Sequence, residues 1–157
     1  MIWASNFVGM DYQIEITELQ EQSTAVVRGH VPHSGIGEFL GGAFGQVMGA
    51  LGESQVAGPP FARYDMTDDG WDIEGGFPVA APIPGAGAVE ASTLPAGAAA
   101  TTVHEGSYQE LGGAYSALEA WLAENGYRPA GAPWEVYLND PHEETPRTLV
   151  VWPCAMA

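Results

Sequence analysis

The first half of the chain alternates hydrophobic and polar residues in short runs, interrupted by one longer stretch with a helical period. Residues 12–17 follow the two-residue period of β-strands, and residues 24–31, 61–66 and 71–79, set off by turn residues, are predicted as three further strands. From Ser34 to Leu51, apolar side chains recur at three- and four-residue steps, which predicts an amphipathic helix. This half therefore predicts the order strand, strand, helix, strand, strand.

The second half predicts the same order of elements. Ser107 opens its helix with Glu110 three residues later, the spacing of a capping box, and Asn125-Gly126 closes it. The helix is preceded and followed by two predicted strands each, at 89–92, 99–104, 134–138 and 148–154.

Individual residues also match between the halves. Leu40-Gly41-Gly42-Ala43-Phe44 corresponds to Leu111-Gly112-Gly113-Ala114-Tyr115, and residues 58–64 correspond to 131–137. We therefore predict one α+β domain over residues 1–157, built from two pseudo-symmetric ββαββ repeats at about 12–79 and 89–154, with a connector at 80–88. The repeats are expected to form an antiparallel sheet with two long helices and a ligand cleft at their seam.

One carboxylate stands out in the strand at 134–138. Glu135 shares a face of that strand with Tyr137, whereas the opposite face is entirely apolar. Burying a carboxylate costs free energy unless it is paired or hydrogen-bonded, so Glu135 either lies on an edge strand in water or forms the floor of a ligand cavity. The matching residue of the first half is Ala62. An acid present in one copy only favours a function over a structural need.

Charge narrows the classes of partner. Twenty acids against four arginines give a net charge of −16, which disfavours direct binding to nucleic acid and to anionic membranes. There is no leader-like basic segment and no apolar run of the ~20 residues that a membrane span requires. The expected protein is therefore cytoplasmic, and its single cysteine, Cys154, is expected in the core.

With these elements and residues, the chain resembles the GyrI-like small-molecule-binding domain, which is also the effector-binding domain of AraC- and MerR-type regulators. The resemblance covers residues 12–154. It rests on the duplicated unit, on the turn His104-Glu105-Gly106-Ser107-Tyr108, and above all on Trp134-Glu135-Val136-Tyr137-Leu138-Asn139-Asp140-Pro141. Ser107 departs from the proline usual in the family.

The resemblance implies an aromatic cavity that binds lipophilic, often cationic, small molecules around Glu135. No cofactor is implied, and the protein is expected to be a monomer or a homodimer. The predicted ligand-binding residues are Glu135, Tyr137, Tyr64, Trp152, Trp71, Phe77, Tyr108 and Phe44. Aromatic residues of this kind are common in plain cores. Tyr115, on the apolar stripe of the second helix, could also line the cavity, but its position favours a core residue.

Three functions stay open at this point. The first is a binder of lipophilic, cationic or aromatic small molecules, and the second a hydrolase that opens cyclopropanoid DNA-alkylating compounds. In the hydrolase, Glu135 is the general base and Tyr108 or Tyr137 donates a hydrogen bond to the leaving oxygen. The third is a gyrase-inhibitor-type interaction protein. The length leaves no room for a DNA-binding module, so a free-standing binder or hydrolase is expected rather than a transcription factor.

A metal site is not expected. His30 and His33 form an H-x-x-H pair, but the pair lacks an acidic partner on a helix face.

Overall fold

The computed structural model describes residues 12–139 and 145–157 and, within them, places nine strands and two α-helices. The strands of the first half are β1 (Glu15–Leu19), β2 (Gln22–Val31), β3 (Phe61–Thr67) and β4 (Gly70–Pro78), with α1 (Ile36–Ala50) between β2 and β3. Those of the second half are β5 (Glu90–Leu94), β6 (Gly97–Glu105), β7 (Tyr127–Pro129), β8 (Trp134–Tyr137) and β9 (Arg147–Met156), with α2 (Leu111–Glu124) between β6 and β7. Short 3-10 helices occupy Glu53–Gln55 and Tyr108–Glu110.

The predicted strands and helices are all present, with differences at the start of α2 and after its end. Residues 108–110 close as a 3-10 turn, so α2 begins at Leu111, and Ser107 makes no side-chain capping bond. The predicted capping box is therefore wrong. Gly126, with a φ of 81°, follows α2 as expected. The short strand β7 was not anticipated.

The strands form one antiparallel sheet in the order β1-β6-β9-β8-β3-β4-β2-β5, and β7 pairs with the end of β9. The α+β class with an antiparallel sheet and two helices is thus confirmed. The pairing of the outer strands was not predicted. The first strand of each half joins the second strand of the other half, since β1 pairs with β6 and β5 pairs with β2.

Alternating side chains of the strands bury both faces of this sheet. On one face, Ala25 packs against Ala43 and Val47 of α1, and Ala100 packs against Leu118 of α2. On the other face, strand residues pack only against one another; these include Val26, Phe61, Ala99, Trp134 and Val151. The sheet therefore curls so that its second face closes on itself, which buries the apolar side of β8 as its alternation predicts.

The two helices cover different parts of the sheet. Helix α1 packs chiefly on β2 and β4, and α2 packs chiefly on β6, β7 and β9. The central strands β3 and β8 lie between the areas that the helices cover. Their helix-side face is consequently the floor of a space with a helix on each side.

Within the described residues, no helix is both long and apolar enough to cross a membrane. Asp140 and Pro141, the last two residues of the motif that begins at Trp134, lie outside the described residues.

Candidate functional site

The space between the helices is a cavity of about 1570 Å³. Strands β3 and β8 supply its floor, and α1 and α2 supply its walls. Of the predicted ligand-binding residues, the lining contains Glu135, Tyr137, Tyr64, Trp152, Trp71, Tyr108 and Phe44. Side chains that are far apart in the sequence therefore meet in one aromatic chamber.

Phe77 is the predicted ligand-binding residue that the fold places elsewhere. It is buried in the core beneath α1, and its ring meets Phe44 edge to face at a centroid distance of 5.8 Å. The reason is its position in β4, a strand that α1 covers directly. Phe77 therefore supports a lining residue from behind instead of lining the cavity.

Glu135 lies on the cavity floor with 7% of its surface exposed, and three tyrosine hydroxyls surround its carboxylate. Tyr115 donates to Oε2 at 2.6 Å. Tyr137 donates to Oε1 at 3.0 Å, and the Tyr64 hydroxyl lies 3.3 Å from the same oxygen. The reading of β8 as an edge strand with its acid in bulk water is therefore wrong, because β8 is paired on both sides.

Burial governs the protonation of this group. Removal from water raises the pKa of Glu135. The hydroxyl groups of Tyr115, Tyr137 and Tyr64, together with the electrostatic effect of His104, oppose that rise because they stabilise the charged form. Burial, with the neighbouring carboxylate, also raises the pKa of each of these phenols, so they remain proton donors. Within the described residues, no arginine or histidine forms an ion pair with Glu135.

Tyr115 is the site residue that sequence reasoning missed. Its place on the apolar stripe of α2 led to the expectation of a core residue, yet it lines the cavity and makes the shortest hydrogen bond to Glu135. Two signals were available. Tyr115 matches Phe44 in the other half, and a buried phenol hydroxyl requires a partner.

Aromatic rings of the lining contact one another edge to face. Tyr108 meets Tyr137, Trp71 meets Tyr64, and Trp152 meets Tyr115, each pair with ring centroids 5.8 Å apart and planes inclined by 67–73°. Edge-to-face packing of this kind holds the rings in position without filling the cavity. Tyr108 stands nearest to solvent, with 42% of its surface exposed.

A buried histidine anchors the turn that carries Tyr108. His104 Nε2 lies 3.0 Å from the carbonyl oxygen of Ser107, and Nδ1 lies 2.8 Å from the Tyr12 hydroxyl. Because a carbonyl only accepts, Nε2 carries a proton and the ring donates to Ser107. His104 thus fixes the backbone immediately before Tyr108.

The histidines of the H-x-x-H pair have other contacts. The exposed His30 ring lies between Asp72 and Asp69, at 2.8 and 3.0 Å, and His33 meets Trp71 edge to face. In the described part of the chain, no three side chains of metal-binding type are grouped in a way that could hold an ion.

Comparison with protein families gives one match. The model of the GyrI-like small molecule binding domain matches residues 70–154, which is more than half of the chain. Among curated proteins, no significant match is found.

Solved structures with the same fold include the C-terminal domain of EcmrR, which is 25% identical in sequence and has a TM-score of 0.81. The alignment covers 94% of this chain and 100% of that domain. The chain spans 58% of the EcmrR chain in its complex with DNA. SAV2435 bound to tetraphenylphosphonium is 12% identical, with a TM-score of 0.62 and coverage of 93% and 94%. A hydrolase from Listeria innocua is 15% identical, with a TM-score of 0.62 and coverage of 91% and 92%. At the identities of the last two, the likeness concerns the fold.

Proposed function

Because the chain belongs to the GyrI-like family of small-molecule-binding domains, we propose that it binds lipophilic, cationic or aromatic small molecules in the cavity around Glu135. One observation carries the proposal. Glu135 is a buried carboxylate at the floor of an aromatic cavity, and within the described residues it has hydroxyl partners but no ion pair. A cationic guest supplies the missing charge.

The expected energies are sufficient for binding. Two opposite charges 4 Å apart attract by about 4 kcal/mol at the effective dielectric constant typical of protein sites, before the cost of desolvation. An aromatic face adds roughly 0.5–2 kcal/mol for a cation above it. The net charge of −16 also attracts cations from a distance, by an amount that salt reduces.

The order of strands supports the internal duplication and a site at its seam. Exchanging the elements of the two halves turns the order β1-β6-β9-β8-β3-β4-β2-β5 into the same order read backwards. The pairing of β3 with β8 sets Ala62 directly opposite Glu135. On this proposal the cavity lies where the repeats meet, and one repeat supplies its acid.

Comparison with known structures agrees with a small-molecule ligand. SAV2435 has this fold and was solved with tetraphenylphosphonium, a lipophilic cation. EcmrR carries a domain of this fold in a chain that was solved with DNA, so a role as the ligand-binding part of a regulator is a further proposal for this chain.

Titration calorimetry with tetraphenylphosphonium tests the binding site. Glu135→Gln keeps the shape of the side chain and removes its charge, so we expect an affinity lower by about tenfold or more, equivalent to about 1.4 kcal/mol. Glu119→Gln is the matched control, because Glu119 is exposed on α2 and lies outside the cavity lining. Equal affinities for wild type and both variants are incompatible with a site at Glu135.

A hydrolase that opens cyclopropanoid DNA-alkylating compounds is the second candidate. The observation in its favour is that burial raises the pKa of Glu135 towards the range useful for a general base. Tyr137 and Tyr108 lie in the same cavity and could each donate to a leaving oxygen. Mass spectrometry of such a compound after incubation separates the candidates: ring-opened product that is lost in Glu135→Gln supports the hydrolase, and unchanged compound that is tightly bound supports the binder.

A further inference from the structure

The hydrogen bonds at Glu135 can be assigned by counting protons, because each tyrosine hydroxyl donates once. The Tyr64 and Tyr137 hydroxyl oxygens are 2.7 Å apart, so one of the two protons lies between them. Tyr137 is closer to Oε1 than Tyr64 is, at 3.0 Å against 3.3 Å. The consistent arrangement is therefore a chain in which Tyr64 donates to Tyr137 and Tyr137 donates to Glu135.

This assignment leaves an acceptor at the end of the chain. The Tyr64 oxygen gives its proton to Tyr137 and, within the described residues, accepts no hydrogen bond. Oε2 of Glu135 accepts one bond, from Tyr115. Tyr64 and Glu135 both line the cavity, so both have acceptor capacity towards its contents.

The neighbouring arginine does not supply the missing donor. Arg63 follows the alternation of β3 to the opposite face of the sheet, where its guanidinium lies 5.4 Å from the centre of the Trp134 ring and donates to the carbonyl of Ala132. The acceptor on Tyr64 is also strengthened, since a hydroxyl that donates becomes a better acceptor. A guest that fills the cavity covers this acceptor. A guest that brings an N–H group gives it a donor, whereas a guest that brings charge alone leaves it without one, which is costly.

We propose that the cavity discriminates among lipophilic cations, and that it takes protonated amines, whose N–H donates to the Tyr64 hydroxyl beside the charge of Glu135, in preference to permanently charged onium ions. This selectivity rests on the proposed function. It makes Tyr64 a specificity-determining residue, whereas Glu135 contributes attraction to both kinds of cation.

Two matched ligands test the selectivity. N,N-dimethyl(biphenylmethyl)amine is protonated at neutral pH, and its quaternary N-methyl derivative carries the same charge without an N–H. Calorimetry on the wild type is expected to give roughly tenfold tighter binding of the amine, the value of one hydrogen bond from a charged donor. Tyr64→Phe removes the acceptor oxygen and is expected to abolish the preference.

Tyr137→Phe is the control variant. It leaves the Tyr64 hydroxyl in place, 3.3 Å from Oε1, so the Tyr64 oxygen still accepts from the guest. The preference for the amine should survive in this variant. Because the quaternary derivative is bulkier, the comparison of the two variants, and not the wild-type preference alone, decides the role of Tyr64.

The outcomes are distinct. Equal affinity of the wild type for both ligands, or a preference that Tyr64→Phe retains, overturns the selectivity and leaves the proposed function standing. Failure of both ligands and of tetraphenylphosphonium to bind the wild type overturns the proposed function together with it. Loss of the preference for the amine in Tyr64→Phe but not in Tyr137→Phe supports Tyr64 as the residue that determines this selectivity.

Discussion

Replacing Tyr115 by Phe tests the electrostatics of the site through one hydroxyl group. Tyr115 donates the shortest hydrogen bond to Glu135, at 2.6 Å, from a position on α2 that is mostly buried. A hydrogen bond to a charged group contributes about 1.5–3 kcal/mol. Since this bond stabilises the ionised carboxylate, its loss raises the pKa of Glu135 further above the ordinary range.

The affinity for a permanent cation reports this change. Tetraphenylphosphonium keeps its charge at every pH, so the pH dependence of its binding comes from the protein. We expect its affinity to rise as Glu135 ionises and to become level above the pKa of that group. In Tyr115→Phe the midpoint of the rise should move to higher pH, by about one to two pH units when the energy of the lost bond is converted.

Tyr127→Phe is the control for this measurement. Tyr127 also contributes a phenol to the α2 region, but it stacks on Trp121 and lies outside the cavity lining. Its replacement should leave the midpoint unchanged. A Tyr115→Phe midpoint equal to or below that of the wild type, in a variant that unfolds at a normal urea concentration, refutes the assigned role of the hydroxyl.

Three further predictions concern α1, the core and the buried acid. Gly41→Ala and Gly45→Ala should each raise the free energy of unfolding by up to ~1 kcal/mol, because an added Cβ meets nothing within 4 Å at either site. Of these two glycines only Gly41 lines the cavity, so only its replacement should alter ligand affinity in calorimetry. Leu118→Ala should lower the free energy of unfolding by about 2–5 kcal/mol in urea titrations, because Leu118 is fully buried on the side of α2 that packs on the sheet. The folded state binds the Glu135 proton more tightly than the unfolded chain does, because burial raises the pKa of this group. Relative to Glu135→Gln, the unfolding free energy of the wild type should therefore fall as the pH rises from 4.5, the ordinary pKa of glutamate, to the raised pKa, and stay level at higher pH. A difference in unfolding free energy that is independent of pH would contradict this.

Local patterns in the sequence predicted the elements and one face of the site. The period-two alternation of residues 134–138 correctly set Trp134 into the core and Glu135 with Tyr137 on the opposite face. The apolar stripes of the helices likewise identified the buried side chains, among them Leu40 and Leu118. These features depend on neighbours a few residues apart, and such spacing is directly readable.

Features that depend on distant pairing were not readable in this way. The exchange of β1 and β5 between the halves is decided by which sheet edge each strand meets, and no local period encodes that choice. The same holds for Phe77, since its place beneath α1 depends on where the helix crosses the sheet. Tyr115 was misjudged because the helical stripe indicates the direction of a side chain, whereas its hydrogen-bond partner comes from β8.

The direct pairing of Ala62 with Glu135 gives a physical reason for a single acid at the site. Side chains directly opposite each other in an antiparallel pair have Cβ atoms about 4.5–5.5 Å apart. A second carboxylate at Ala62 would therefore share the surroundings that already raise the pKa of Glu135 by burial. Like charges that close would not both ionise, and the pair would hold a proton in place of the charge that attracts a cation. On the proposed duplication, the repeats can each supply a tyrosine, Tyr64 and Tyr137, but only one of them can supply the acid.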